Sequence, residues 1–215
     1  MKQFKKSIKS NGFTLIELMV VLAILSILSL VAAPNFISFV RNSELTSTTN
    51  SFIGAISTAR SEAMKRNTYV LVTPRTGNQW SSGWKIFVDK NFNATFDAGE
   101  TIISESNDVP EKISITGNGT ARSSAQPTPY LLFDGSGFFK RSSGNMNALT
   151  FQLQINDSSA NNSIRRIKIA STGRVRSCTP TSSNDANCSG ISGTEDGSAE
   201  AEFDAPDSTP TSTTE

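Results

Sequence analysis

Side chains able to do chemistry are grouped at two places in the chain. From Asp89 to Glu100 the sequence reads Asp-Lys-Asn-Phe-Asn-Ala-Thr-Phe-Asp-Ala-Gly-Glu. Asp89, Asn91, Asn93, Asp97 and Glu100 take the first, third, fifth, ninth and twelfth positions, which is the ligand spacing of a calcium-binding loop. Ala94 stands where the tight turn of such a loop wants Gly, and the flanks have strand character, so a plain hairpin connection built from Asn and Asp fits the same residues. The expectation is no metal, with those five residues as the calcium candidates. Further along, Arg165, Arg166 and Lys168 lead to Arg174 and Arg176. Alternate side chains of a strand share a face, which groups Arg166 with Lys168 and, if the chain is extended there, Arg174 with Arg176. Such pairs can grip successive phosphates of double-stranded DNA with an affinity that falls as salt rises. A solvated strand edge whose cations discourage aggregation is the other reading.

The chain has no histidine, which excludes Ser-His-Asp and Cys-His nucleophiles and every His-based zinc site. No nucleotide-binding Gly loop, metal-ligand cluster or nucleophile–base pair is present, so the chain reads as neither an enzyme nor a cofactor protein. Cys178 and Cys188 are too few for zinc and are not spaced as a CxxC redox pair, so a disulfide in an exported domain is expected.

The formal charge of +1 hides opposite ends. Lys2, Lys5, Lys6 and Lys9 crowd the first residues, whereas Ser189 to Glu215 carries acids and no base. Between them, Phe13 to Cys188 holds 16 basic and 12 acidic residues. An apolar run begins abruptly at Phe13, directly after Gly12, and from Leu18 to Val40 there is no charge. As a helix that stretch would reach about 35 Å, enough to cross a hydrocarbon core of about 30 Å. The lysines before it place its start on the cytoplasmic side. A secretory signal is cleaved after its apolar region, but the small residue here, Gly12, precedes it, so cleavage at Gly12 would leave the helix on the mature chain. Glu17 interrupts the run, where a charge costs about 2.5–3.5 kcal/mol unless paired or near the interface. Cleavage would create an amine on Phe13, one helical turn away, and that amine on a neighbouring subunit is a fitting partner. Pro34 predicts a kink or local unwinding.

Lys9-Ser10-Asn11-Gly12-Phe13-Thr14-Leu15-Ile16-Glu17-Leu18 resembles the class III signal of type IV pilins and type II secretion pseudopilins. The resemblance implies cleavage after Gly12 and N-methylation of Phe13 by a prepilin peptidase, Glu17 guiding subunit docking, and Pro34 in a segment that loosens on packing into a filament.

Helical periodicity continues beyond Pro34, with Phe52, Ile56, Ala59 and Ala63 on one face and an end near Asn67. Strands are predicted at Tyr69–Thr73, Trp84–Asp89, Thr101–Glu105, Lys112–Thr116, Tyr130–Phe133, Leu149–Ile155 and Ile164–Ala170. The fold class is then α+β, type IV pilin-like: a long N-terminal transmembrane helix packed on an antiparallel β-sheet domain. Residues 1–12 are the leader, 13–40 the hydrophobic helix, 41–188 the soluble domain and 189–215 an acidic tail whose composition argues for disorder.

Ala59-Arg60-Ser61-Glu62-Ala63 followed by Lys65-Arg66-Asn67, then Gly83-Trp84 with Phe87-Val88-Asp89, then Gly173-Arg174-Val175-Arg176 together resemble the GspH/FimT group of minor pilins and pseudopilins. That resemblance implies a minor pilin with a structural role in assembling or initiating a type IV pilus, or alternatively a GspH-type minor pseudopilin of a type II secretion system. In FimT-like members a Gly-Arg-x-Arg element is associated with DNA capture in natural transformation. The implied partners are other minor pilins or pseudopilins, the major pilin, the prepilin peptidase, an inner-membrane assembly platform and double-stranded DNA. The implied location is a single-pass inner-membrane subunit with a periplasmic C-terminal domain that passes into a filament.

Overall fold

Thr14 and Glu17 start the helix. Thr14 N–H and its hydroxyl donate to Glu17 Oε2, both at 2.9 Å, and Glu17 N–H faces Thr14 Oγ1 at 3.3 Å. This reciprocal pair is a capping box, satisfying donors that the first helical turn leaves without partners. From it helix α1 runs Leu15–Arg66 in the computed structural model of the chain. The described residues are 13–122, 128–157, 161–182 and 185–190, with 30–35 and 186 described as backbone only. The chain divides into two compact units, Met1–Arg41 and Asn42–Glu215.

In the first unit the described large apolar side chains, Leu15, Ile16, Leu18, Met19, Leu22, Leu25 and Leu28 among them, are all exposed. A helix apolar around its whole circumference is built to be surrounded. Among the described residues no helix is long and apolar enough to cross a membrane. The helix continues without a break through Pro34, where the sequence predicts a kink or local unwinding. A proline removes one intrahelical hydrogen bond, and that loss does not end the helix here.

In the second unit α1 becomes one-sided. Leu45, Phe52, Ala55, Ile56, Ala59 and Ala63 are buried, at the spacing of a single helical face. Among the described residues nine strands succeed it: β1 Tyr69–Pro74, β2 Trp84–Asp89, β3 Thr101–Glu105, β4 Ile113–Gly117, β5 Leu131–Phe133, β6 Phe139–Lys140, β7 Leu149–Ile155, β8 Ile164–Ile169 and β9 Val175–Cys178. They form two antiparallel sheets, ordered β3-β2-β1-β5-β6 and β4-β7-β8-β9. The class is α+β, as the sequence predicts, but with two sheets in place of the single one expected. Alternation reports which side of a strand is buried and not which strand lies beside it.

One core is shared by the helix and both sheets. Val70, Val72, Trp84, Ile86, Leu131, Phe133 and Phe139 come from the first sheet, and Ile113, Ile115, Leu149, Phe151, Leu153, Ile167 and Ile169 from the second. Phe52 stands where they converge, with ring centroids 4.8 Å from Trp84, 4.8 Å from Phe151 and 5.5 Å from Trp80. Trp80 is fully buried and its indole N–H donates to Ala121 O at 2.8 Å, so its one polar atom is satisfied. A second cluster, Leu71, Phe87, Ala94, Tyr130 and Leu132, lies on the opposite face of the first sheet. Phe52→Ala should lower the unfolding free energy by about 3–5 kcal/mol, because the ring's transfer energy is lost and the surrounding rings cannot fully close the gap. Urea denaturation followed by tryptophan fluorescence measures it.

Candidate functional site

The Asp89–Glu100 segment is the β2–β3 connection, and it folds onto the outer face of the first sheet. Phe92 packs edge-on to Tyr69 at 4.9 Å and Phe96 edge-on to Phe87 at 5.2 Å. The Lys85 ammonium lies over the Phe96 ring, 4.1 Å from its centroid. The oxygens in calcium-ligand positions are engaged with the loop itself. Asp89, fully buried, accepts from Phe92 N–H at 2.7 Å and Ala94 N–H at 2.9 Å. Asn91 Oδ1 faces Asn93 N–H at 3.3 Å and Asn93 Oδ1 accepts from Thr95 N–H at 2.8 Å. Their amide groups donate to Asp97 Oδ2 at 2.7 and 2.6 Å, and Glu100 accepts from Lys90 N–H and Asp97 N–H. Ala94 adopts a positive φ of 61°, so the turn that a calcium loop would give to Gly forms here with Ala. Among the described residues no group of three or more Asp, Glu or Cys side chains is arranged to hold a metal ion.

The basic run divides across the second sheet. Arg165 sits opposite Leu153, on the core-facing side, while Arg166 and Lys168 pair with Gln152 and Thr150 on the outer side. The uneven spacing of Ile164, Ile167 and Ile169 is thereby explained: Ile164 sits opposite Gln154, with outer-face parity, and Arg165 takes the inward position at that end. Its guanidinium donates to the carbonyls of Asn162 at 2.7 Å and Ile164 at 2.9 Å and reaches Thr46 Oγ1 at 3.5 Å. Burial pushes its pKa down.

On the outer side Lys168 pairs with Arg176 and Arg166 with Cys178, and Arg174 opposes Ala170, whose N–H donates to Arg174 O at 2.9 Å. Arg166, Lys168, Arg174 and Arg176 therefore share one face. The Cys178–Cys188 disulfide is present and turns the chain back over it. Arg166 donates to Cys188 O and, at 3.1 Å, to Gln152 Oε1; Lys168 Nζ donates to Ser189 Oγ at 2.6 Å; Arg176 donates to Asn187 O at 3.0 Å. Arg166 is buried and Arg174 exposed. The loop is tied internally by Asp185, whose carboxylate accepts from Thr181 N–H and hydroxyl and from Asn187 and Cys188 N–H.

Two motifs far apart in sequence meet at Gly173. Arg60 Nε donates to Gly137 O at 2.9 Å and its Nη2 to Thr172 O at 3.0 Å, so one guanidinium joins α1 to a turn of each sheet. Gly173 has a φ of 76°, and a Cβ there would lie 2.2 Å from Gly137 O. Gly83 is similar, with a φ of 82° and a virtual Cβ 2.4 Å from Asn107 O. Both glycines are thus required by close backbone approach.

Residues 48–173 match the family described as Type II transport protein GspH, and residues 8–33 match the prokaryotic N-terminal methylation motif. The chain belongs to the GspH family. It is a minor pilin or pseudopilin, of the kind found in type IV pili and type II secretion systems. The match ends at Gly173, which leaves Arg174, Arg176 and the disulfide loop beyond it. The type IV minor pilin FimU of Pseudomonas aeruginosa PAO1 is similar in structure at 17% identity, over 67% of this chain and 98% of that one, with a TM-score of 0.49. The minor pseudopilin EpsH of the Vibrio cholerae type 2 secretion system is similar at 14% identity, over 65% of this chain and 99% of that one, with a TM-score of 0.46. No curated protein matches the chain.

Phe13, Glu17 and Pro34 are on the helix or at its start, whereas Gly12 and the rest of residues 1–12 lie outside the described residues, as does the tail beyond Gly190. Sequence reasoning overlooked the intrachain partner of Glu17, although Thr14-x-x-Glu17 is itself a capping-box signature. It also overlooked Arg60, whose place off the buried face gives no sign of the two carbonyls it reaches.

Breaking the loop with Cys178→Ser should cost about 2–3 kcal/mol on the chain-entropy account, read as a lower urea midpoint that reduction of the wild type reproduces. Acid should loosen the same region. The Asp185 pKa is lowered, first by the Thr181 N–H and then by its hydroxyl, and Asp97 is lowered by the Asn91 and Asn93 amides. A carboxylate depressed in the fold contributes stability that is complete above its unfolded pKa of about 4 and is lost as pH falls through its folded value. The thermal midpoint should therefore hold steady from neutral pH to about 5 and fall below about 4, less steeply in Asp185→Asn.

Proposed function

We propose that the chain is a minor pilin that helps assemble or initiate a type IV pilus. It is made with the leader 1–12, cleaved after Gly12 and N-methylated on Phe13 by a prepilin peptidase, and held in the inner membrane by residues 13–40 with its C-terminal domain in the periplasm. The observation that carries this is the start of α1: a methylation-motif match spanning Gly12 to Glu17, a capped carboxylate at Glu17, and apolar side chains exposed on every described side of the helix beyond it. Such a helix needs a lipid or protein surround, and the filament supplies the second after the membrane supplies the first. The partners are then the major pilin, other minor pilins and an inner-membrane assembly platform. The outer face of the second sheet adds a DNA-binding role: Arg166, Lys168, Arg174 and Arg176 share it with Ser114, Thr116, Thr150, Gln152 and Gln154, and no strand position on it is acidic.

The second reading, a GspH-type pseudopilin of a type II secretion system, is favoured by the description of the family whose model matches residues 48–173.

Deleting the gene in its source organism separates the two. Loss of surface pili with unchanged export of folded exoproteins supports the pilus reading; lost export with normal pili replaces it by the pseudopilin. Complementation with Glu17→Ala should restore a processed chain, detected by mass spectrometry as N-methylated Phe13, but not the filament. Retention of double-stranded DNA that weakens with salt and is lost in Arg174→Ala/Arg176→Ala supports the DNA role; salt-insensitive or absent retention removes it.

A further inference from the structure

The chain does not leave the second sheet where its last strand ends. β9 finishes at Cys178, and the disulfide then returns the backbone across the sheet, so that Cys188 O, Asn187 O and Ser189 Oγ receive Arg166, Arg176 and Lys168. At Gly190 the backbone lies directly on Arg166: a Cβ there would be 3.2 Å from its Nη2. The chain therefore departs from the middle of the cationic face. The sequence beyond Gly190 carries Glu195, Asp196, Glu200, Glu202, Asp204 and Asp207 within a short span, with no basic residue before the end at Glu215.

The geometry points to the acidic segment 191–207 as the occupant of this face, bound in cis across Lys168, Arg174 and Arg176 and competing there with other polyanions. Length permits it: Glu195 is five residues beyond Gly190, a reach of about 17 Å at full extension, and four strands spaced about 4.8 Å apart span about 14 Å. Concentration favours it, since so short a tether holds the first carboxylates at an effective concentration in the millimolar range. Charge complementarity favours it as well, because the strand positions of the face include Arg166, Lys168 and Arg176 and none of them is acidic. The disulfide is a positioning device here: without it the acids would begin from the end of β9. The competition with DNA rests on the role proposed above, whereas the docking itself does not.

Zero-length carbodiimide coupling tests the docking on the full-length chain in zwitterionic detergent micelles, since it joins only a carboxylate and an amine already in contact. Peptide mapping should show Lys168 joined to the 191–207 segment in clear excess over Lys65, Lys85, Lys90, Lys112 and Lys140, with the excess suppressed by high salt. Coupling spread evenly over those lysines, or absent from Lys168, overturns the proposal. A variant with all six carboxylates of that segment changed to their amides, Glu195→Gln through Asp207→Asn, should lose the Lys168 product. The same variant should bind a short DNA duplex at least about tenfold more tightly than the wild type at low salt. A Lys168 product with no DNA binding in either chain would leave the docking standing and remove only the DNA role; equal DNA binding by both chains would remove the competition.

Discussion

Phe52 has to be buried, and α1 cannot bury it alone. A helix face with Phe52, Ile56, Ala59 and Ala63 in line is too apolar for water and too narrow to close on itself, so it needs a wall on each side. The first sheet brings Trp84 and the second Phe151, each with its ring 4.8 Å from Phe52. The small residues further along the same face, Ala59 and Ala63, let the sheets approach the helix backbone, and at that end Arg60 reaches the turn of each sheet through Gly137 O and Thr172 O. The core thus explains why Gly173 belongs with Arg60. Close approach of Gly137 to Gly173 is what brings both carbonyls within reach of one guanidinium, and any side chain at Gly173 would separate them.

Wrapping two sheets around one helix leaves each sheet an outer face, and the chain treats the two faces differently. The first sheet's outer face is apolar, with Leu71, Phe87 and Leu132, and the β2–β3 connection covers it with Phe92 and Phe96. The self-bonded Asn and Asp residues of that connection hold its turns so that the two rings point at the sheet. The second sheet's outer face is polar and cationic, and a disulfide-closed loop meets its cations with carbonyl and hydroxyl oxygens. Oxygen donors in one loop and guanidinium groups under the other are the two chemically suggestive clusters of the sequence. In the structure both clusters first serve to attach a loop to a sheet.

The long helix with its buried face and an end near Asn67, and the longer strands, are legible in the sequence because each repeats one period over several residues. β6, only Phe139–Lys140, is too short to show any period, and β9, Val175–Cys178, reads as charge instead of alternation. The pairing into two sheets is not legible, since a strand's own pattern does not name its neighbour. Arg165 misleads for a related reason: a cation at an inward position is acceptable only when carbonyls such as those of Asn162 and Ile164 receive it, and those belong to the local backbone path.

Glu17 shows how one carboxylate can be tolerable in two settings. On a bare apolar helix it would cost about 2.5–3.5 kcal/mol to insert. Its position in the first turn lowers that cost, because the Thr14 N–H and hydroxyl bind one of its oxygens and the helix N-terminus favours negative charge. Neither donor is charged, and both act on Oε2, which leaves the second oxygen for an ammonium. Under the proposed function that ammonium is the methylated amine of a neighbouring Phe13, which exists only after cleavage at Gly12. On that proposal the cap eases insertion of the precursor, and processing would then supply a charged partner in another subunit, so that docking follows cleavage.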